Sequence, residues 1–404
     1  MVPTNQLDSH SVGLLSDLLK IGEPSQRIDL ESEKGVTCEG MLPAPSDPDL
    51  VARAKVAKEK LGDRALILGH HYQRQEVIDF ADQVGDSFKL AQYASQANSE
   101  LIFFCGVHFM AESADILSKP NQKVILPDSA AGCSMADMAN ICQVEAAWQK
   151  LEQLGIANYI IPVTYMNSSA AIKSFVGKHG GTVCTSSNAA RAIRWAIDKS
   201  QEKLGSSKIK PKVFFLPDQH LGRNTAVEKL GIPLASNVLY NPWKPNGGLT
   251  DEDFNSAQMI LWRGHCSVHA RFTVKDIEQY RMKYPEIKIL VHPECSLDVI
   301  QASDVIGSTE QIIQTIASSP VSSTWAIGTE FNLVTRIARD FPDRKIYYLD
   351  EKVCYCSTMN RIDLPHLVWA LESAAAGRIV NQIQVNEEDK KYAKLALDQM
   401  LALP

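Results

Sequence analysis

Three times along the chain an apolar run of strand length ends and a cysteine follows within a few residues. Val124-Ile125-Leu126 leads to Cys133, Met259-Ile260-Leu261-Trp262 to Cys266, and Ile346-Tyr347-Tyr348-Leu349 to Cys356. Each cysteine falls beyond the carboxyl end of an expected parallel strand, the edge on which open α/β sheets place their chemistry. Self-similarity at this scale marks a repeated structural unit. In the first unit Ala65–Leu68 precedes His70-His71-Tyr72, and Leu101–Phe104 precedes a helical pattern from Phe109 to Leu117. In the second, Tyr159–Val163 precedes Thr164-Tyr165-Met166-Asn167, and Val213–Leu216 precedes Asp218-Gln219-His220. In the third, Ile287–Val291 precedes His292-Pro293-Glu294, and Trp325–Ile327 precedes Gly328-Thr329-Glu330. Short apolar runs alternating with 3.6-period stretches such as Ile312–Ala317 and Leu333–Phe341 are the pattern of parallel sheets covered on both faces by helices.

The 404 residues exceed the ~250–300 at which one core stops growing, so the repeat is read as three α/β domains. Residues 1–49 form a lead-in, in which Val12–Ile21 could make a short helix. The domains then span 50–140, 141–275 and 276–404, the last closing with an amphipathic helix from Glu387 to Leu403. Residues 199–212 read as a charged surface excursion, and 241–256, rich in Pro and Gly, as a loop near the Cys266 edge. A net charge of −6 argues against wholesale nucleic-acid binding, which needs clustered Lys and Arg. An anionic substrate would need a local positive field. No apolar run approaches the ~20 residues of a membrane span, so the chain is expected to be soluble and cytoplasmic.

Nine cysteines are an odd number for a disulfide framework and fit a reducing compartment. Cys38, Cys105, Cys142, Cys184 and Cys295 lack the shared strand-end position. Cys105 reads as core; Cys184 and Cys295 read as loop residues near the site. Cys354 lies two residues from Cys356 and is an alternative ligand or a redox partner. Any single buried cysteine is most simply a small hydrophobe, but three at equivalent edges suggest a shared metal centre. No Cys-x-x-Cys pair of the structural-zinc kind is present. Three thiolates suit zinc or an iron-sulfur cluster, and a cluster held by three leaves one iron open as a Lewis acid. A zinc-dependent hydrolase and a redox-sensing protein draw on the same residue types.

Ten segments occur in order: LGHHYQ from Leu68, VGDS from Val84, GVHFMAE from Gly106, CSMAD from Cys133, VTYMN from Val163, CTSSN from Cys184, GHCSVH from Gly264, VHPEC from Val291, GST from Gly307 and GTE from Gly328. Together they resemble the quinolinate synthase family over about residues 50–365. The resemblance implies three similar three-layer α/β domains with parallel sheets around a pseudo-threefold axis. It also implies a 4Fe-4S cluster on Cys133, Cys266 and Cys356, the last chosen on its Cys-x-x-Met pattern. The implied reaction, of transferase and dehydratase type, condenses iminoaspartate (iminosuccinate) with dihydroxyacetone phosphate to quinolinate, phosphate and water in NAD biosynthesis. An aspartate oxidase or dehydrogenase would supply the imine.

By the same resemblance His70, Ser87, Tyr165, Met166, Asn167, Ser187, His292, Pro293, Glu294 and Thr309 line the substrate pocket, with Ser186 an alternative to Ser187. Tyr72 and Glu294 are the candidate proton carriers, and His70 and His292 orient and polarise substrate oxygens. Plain helix capping by Ser187 and Thr309, and ordinary core packing of either histidine, are the competing readings. A carboxylate beside an anionic substrate and cluster is expected to have a raised pKa.

Overall fold

The computed structural model describes residues 42–352 and 355–403. Cys38, the Val12–Ile21 helix and Cys354 lie outside the described residues. Three sheets are present, each flanked by helices. The first holds β1 (Ala65–His70), β2 (Gln83–Gly85), β3 (Leu101–Cys105) and β4 (Lys123–Ile125). The second holds β5 (Ile160–Tyr165), β6 (Thr182–Cys184), β7 (Lys212–Leu216), β8 (Asn237–Tyr240) and β9 (Met259–Trp262). The third holds β10 (Lys288–Val291), β11 (Val305–Ile306), β12 (Thr324–Gly328) and β13 (Lys345–Tyr348).

The same parallel topology recurs in each. Spatial order runs β2-β1-β3-β4, β6-β5-β7-β9 and β11-β10-β12-β13, so the second strand of every unit lies on an edge, and in the second unit β8 adds a further strand beyond β9. The central strands are buried throughout because helices cover both faces. Polar side chains placed just past the strands start the covering helices. Asp86, Ser169, Asp218, Ser308, Glu330 and Asp363 each accept a backbone N–H of the helix that follows.

The chain does not end in the third sheet. β14 (Gln382–Ile383) pairs antiparallel with β4 of the first, and helix Leu364–Ala375 packs on helix Leu50–Leu61, where Arg53 grips Glu372 through two nitrogens at 2.8 and 2.7 Å. Helix Glu387–Ala402 lies against helix Ala170–Lys178 of the second unit. Gly177 makes that approach possible, since a Cβ there would sit 2.0 Å from the Tyr392 carbonyl oxygen. The excursion expected at 199–212 is shorter than its charge pattern suggested. Helix Ala189–Leu204 runs through its first six residues, and Lys212, at its end, is fully buried with Nζ bonded to the Asn255 and Ala257 carbonyls. Among the described residues no helix is long and apolar enough to cross a membrane.

Candidate active site

The carboxyl ends of all three sheets open on one cavity. Two classes of turn line it. The turns after the first strands supply His70 and Tyr72, then Tyr165 and Asn167, then His292 and Glu294. The turns after the short edge strands supply Ser87, then Thr185 and Ser186, then Thr309. Ser87 and Thr309 each open a helix, and Ser186 lies three residues before one. Three helix N-termini with hydroxyls therefore meet the same space, an arrangement suited to anions. The positive field expected for an anionic substrate is not built from wall cations, for no Lys or Arg is among the described lining residues.

Cys133, Cys266 and Cys356 all line this cavity, and they also border a second, outer one with Arg271, Tyr355 and Ser357. Their turns are built alike. The carbonyl of each cysteine accepts the N–H four residues on, from Asp137, Ala270 and Asn360 at 3.2, 3.0 and 3.0 Å. Each sulfur also faces the backbone N–H three residues on, from Ala136, His269 and Met359, a contact that favours the thiolate. Burial and the nearness of the other cysteines oppose it, pushing the Cys133 thiol up to about 12 and Cys266 well above its ordinary value. Three thiols whose sulfurs meet N–H donors in threefold-repeated turns fit a cluster, whose binding would release their protons. Cys266, His269 and Glu294 also have ligand atoms within 4.8 Å of one another. There, however, His269 Nδ1 and Glu294 Oε2 already bond each other at 2.9 Å.

Glu294 is the hub of the inner wall. The Tyr165 hydroxyl donates to its Oε1 at 2.5 Å, and His269 Nε2 reaches Thr329 Oγ1 at 3.3 Å. The His269 and His292 rings stack with centroids 4.4 Å apart. Tyr72 Oη lies 3.3 Å from Thr309 Oγ1 and 3.1 Å from Thr329 Oγ1, and its ring meets His70 edge-on at 4.8 Å. The protein's own groups lower the pKa of the Glu294 carboxyl. Burial pushes it up, but the neighbouring imidazoles and the bonds from His269 and Tyr165 outweigh burial and hold it below the usual range. Because burial keeps His292 neutral down to about 3, a His292 charge does not carry that effect at neutral pH. Desolvation and the Glu294 charge raise Tyr72 and Tyr165 well above 10. Both phenols keep their protons.

Of the residues expected in the pocket, His70, Tyr72, Ser87, Tyr165, Asn167, His292, Glu294 and Thr309 line it. Asn167 Oδ1 is buried without a partner among the described residues. Ser187 does not line it: its hydroxyl donates to Asp86 Oδ2 at 2.6 Å, and it faces an adjoining cavity together with Pro293. Met166 is buried behind the wall with its sulfur 3.3 Å from the Ser113 hydroxyl. Cys184 and Cys295, expected near the site in loops, are fully buried and are not among its lining residues. No residue of 241–256 lines it either. His269, Thr329 and Asp86 were not expected as site residues, although GHCSVH and GTE both stand out in the sequence.

The architecture defines an α/β protein of three like units that open their strand ends on a single buried chamber. The chain belongs to the quinolinate synthetase A protein family, whose model matches residues 54–402. It is 58% identical to the quinolinate synthase of Streptomyces coelicolor, with 99% of each chain covered. It is also 58% identical to that of a Nocardioides species over 93% of this chain and 95% of the relative, and 52% identical to that of Geobacillus thermodenitrificans over 88% and 94%.

Proposed function

We propose that the chain condenses iminoaspartate with dihydroxyacetone phosphate to quinolinate, phosphate and water, in the synthesis of NAD, and that Cys133, Cys266 and Cys356 hold a 4Fe-4S cluster. The observation that carries this reading is the meeting of three identically built cysteine turns in the chamber that also holds Glu294, Tyr72 and the serine and threonine helix starts. When bound, the cluster supplies an open iron that eases the departure of a hydroxyl as water.

The chain's own groups divide the remaining work. Ser87, Ser186 and Thr309, with the amides behind them, receive the phosphate of the triose and follow it as it leaves. Asn167, His292 and the His70 ring orient the imine end and its carboxylates. Both buried imidazoles are held neutral by desolvation, His292 down to about 3, so they act as hydrogen-bond donors or acceptors without carrying charge. Glu294, ionised and bonded to the Tyr165 hydroxyl, accepts a proton once substrate displaces one of its partners, and Tyr72 donates one. An oxidase or dehydrogenase acting on aspartate supplies the imine, and the reaction belongs in the cytoplasm.

Anaerobic purification with iron and sulfide quantification tests the ligand set. Cys133→Ala, Cys266→Ala and Cys356→Ala should each lose the cluster. Zinc without sulfide, lost on replacing Cys266, His269 or Glu294 alone, would favour a mononuclear centre instead. Glu294→Gln should keep the cluster and lose turnover by roughly 100-fold or more; full turnover would remove Glu294 from the proton path.

A further inference from the structure

The backbone that carries Glu294 is held from outside its own unit. The carbonyls of Pro293 and Cys295, one on each side of Glu294, both accept from the single Nδ2 of Asn224, at 2.8 and 2.7 Å. Asn224 belongs to the second unit, 2% exposed, at the end of helix Gln219–Asn224. The orientation of its amide is forced, since the reverse flip would set Oδ1 against two carbonyl oxygens with no proton between them. Within its own turn Glu294 has weaker support: its N–H reaches His292 Nδ1 at 3.4 Å, and the Cys295 N–H returns to the His292 carbonyl at 3.0 Å.

A second feature of the local backbone points to the same place. At the next residue the α-helix widens into a π-helix over Thr225–Lys229, closed by the Leu230 N–H on the Thr225 carbonyl at 3.2 Å. π turns are rare and gather at functional sites. This one docks on the third unit, for Gln301 Nε2, on the helix that follows the Glu294 turn, donates to Glu228 Oε1 at 3.1 Å. The widened turn and the amide thus grip one short piece of a neighbouring unit.

We propose that Asn224 is a positioning residue for Glu294: its amide fixes the two peptide groups that flank the carboxylate and so sets where the Tyr165- and His269-bonded oxygens stand in the chamber. It touches neither substrate nor cofactor and acts through Glu294, so the proposal rests on the role given to that residue above. An error of about 1 Å in the placement of a reacting group costs up to roughly 100-fold in rate. Loosening the clamp should therefore lower kcat with little change in KM for dihydroxyacetone phosphate, whose phosphate is held by other turns.

Asn224→Asp is the sharpest probe, because it keeps the shape and replaces the shared donor by an oxygen facing two carbonyls. The measurement is a double-mutant cycle on holoenzyme with Glu294→Asp, which retains a carboxylate, with iron content and thermal melting recorded for each variant. The expected result is a 10- to 100-fold fall in kcat for Asn224→Asp with the cluster retained, and a double variant no slower than Glu294→Asp alone by more than about 3-fold. Losses that multiply in the double variant, or a fall confined to KM, would overturn the clamp while leaving Glu294 in place. Full turnover of Glu294→Gln would instead overturn the role of Glu294 itself. Should Asn224→Asp fail to fold, Asn224→Ser, which keeps one hydroxyl donor and adds no charge, takes its place in the cycle, with the same results supporting or overturning the clamp.

Discussion

The first and second units bury their apolar side chains in one continuous core, which the chain re-enters at Met359 and completes with Leu364–Met400. The third unit centres on two smaller cores, one around Ile289 and Val299, the other around Ile316 and Trp325. It meets the rest of the molecule largely through polar bonds. Arg336 donates to the His71 and Gln73 carbonyls and to Gln75, Asn332 to the Tyr72 carbonyl, and Asn224 to the Glu294 turn. A shared apolar core couples two units into one cooperative body, whereas a polar interface costs less to open because water can replace its partners. The chamber wall is divided along that line: Cys133, Tyr72 and Tyr165 stand on the fused body, and Glu294, His292 and Thr309 on the third unit.

The strongest way to break this comparison is to damage each core separately. Trp262→Ala empties a fully buried site in the fused body and orphans the Met138 carbonyl that its indole N–H binds at 2.7 Å. It should cost about 3–5 kcal/mol and lower the main melting transition. Ile316→Ala in the third unit should cost about 2–5 kcal/mol locally, with hydrogen exchange accelerating in β10 and β12 before β5 and β7. Were both variants to shift a single transition equally, the two bodies would be one. Arg336→Ala tests the interface rather than a core. Its three bonds hold the loop that presents Tyr72 to Thr309 and Thr329, so turnover should fall by up to roughly 100-fold while the main transition stays within a few degrees.

The long strands were legible because fully covered parallel strands are continuous apolar runs, and the end of each such run located His70, Tyr165, His292 and the three cysteines. The edge strands β2, β6 and β11 were not, since two or three residues are too few for any period, and with them went the topology that makes Ser87, Ser186 and Thr309 equivalent. β14 was hidden for another reason: Gln382 and Ile383 become a strand only by pairing with Val124 and Ile125, more than 250 residues earlier. The charge state of Glu294 was illegible for the same cause. Its partners Tyr165 and His269 lie 129 and 25 residues away, and the influences expected from the sequence, an anionic substrate and a cluster, act in the opposite sense. Ser187 and Ser186 differ only in which way a turn points them, and no composition rule distinguishes adjacent serines.

The gentlest probe of the interface is Glu310, at the start of the helix Thr309–Ser318. Its carboxylate faces two basic side chains of the first unit, His71 Nε2 at 3.4 Å and Lys89 Nζ at 3.9 Å. The nearby His71 imidazole holds its pKa below the ordinary 4.5, against some opposing burial and with help from the Lys89 charge. A carboxyl depressed in the docked protein contributes fully above its undocked value, and the contribution drains away as pH falls through the lower docked value. Because Glu310 and Lys89 are substantially exposed, the gain is below about 1 kcal/mol and screened by salt. Glu310→Gln should therefore destabilise the third unit slightly at pH 6 and low salt, the difference closing below pH 4.5 and again in 1 M salt. A deficit that persists at low pH and high salt would mean Glu310 acts by packing, and the interface would then be less polar than its bonds imply.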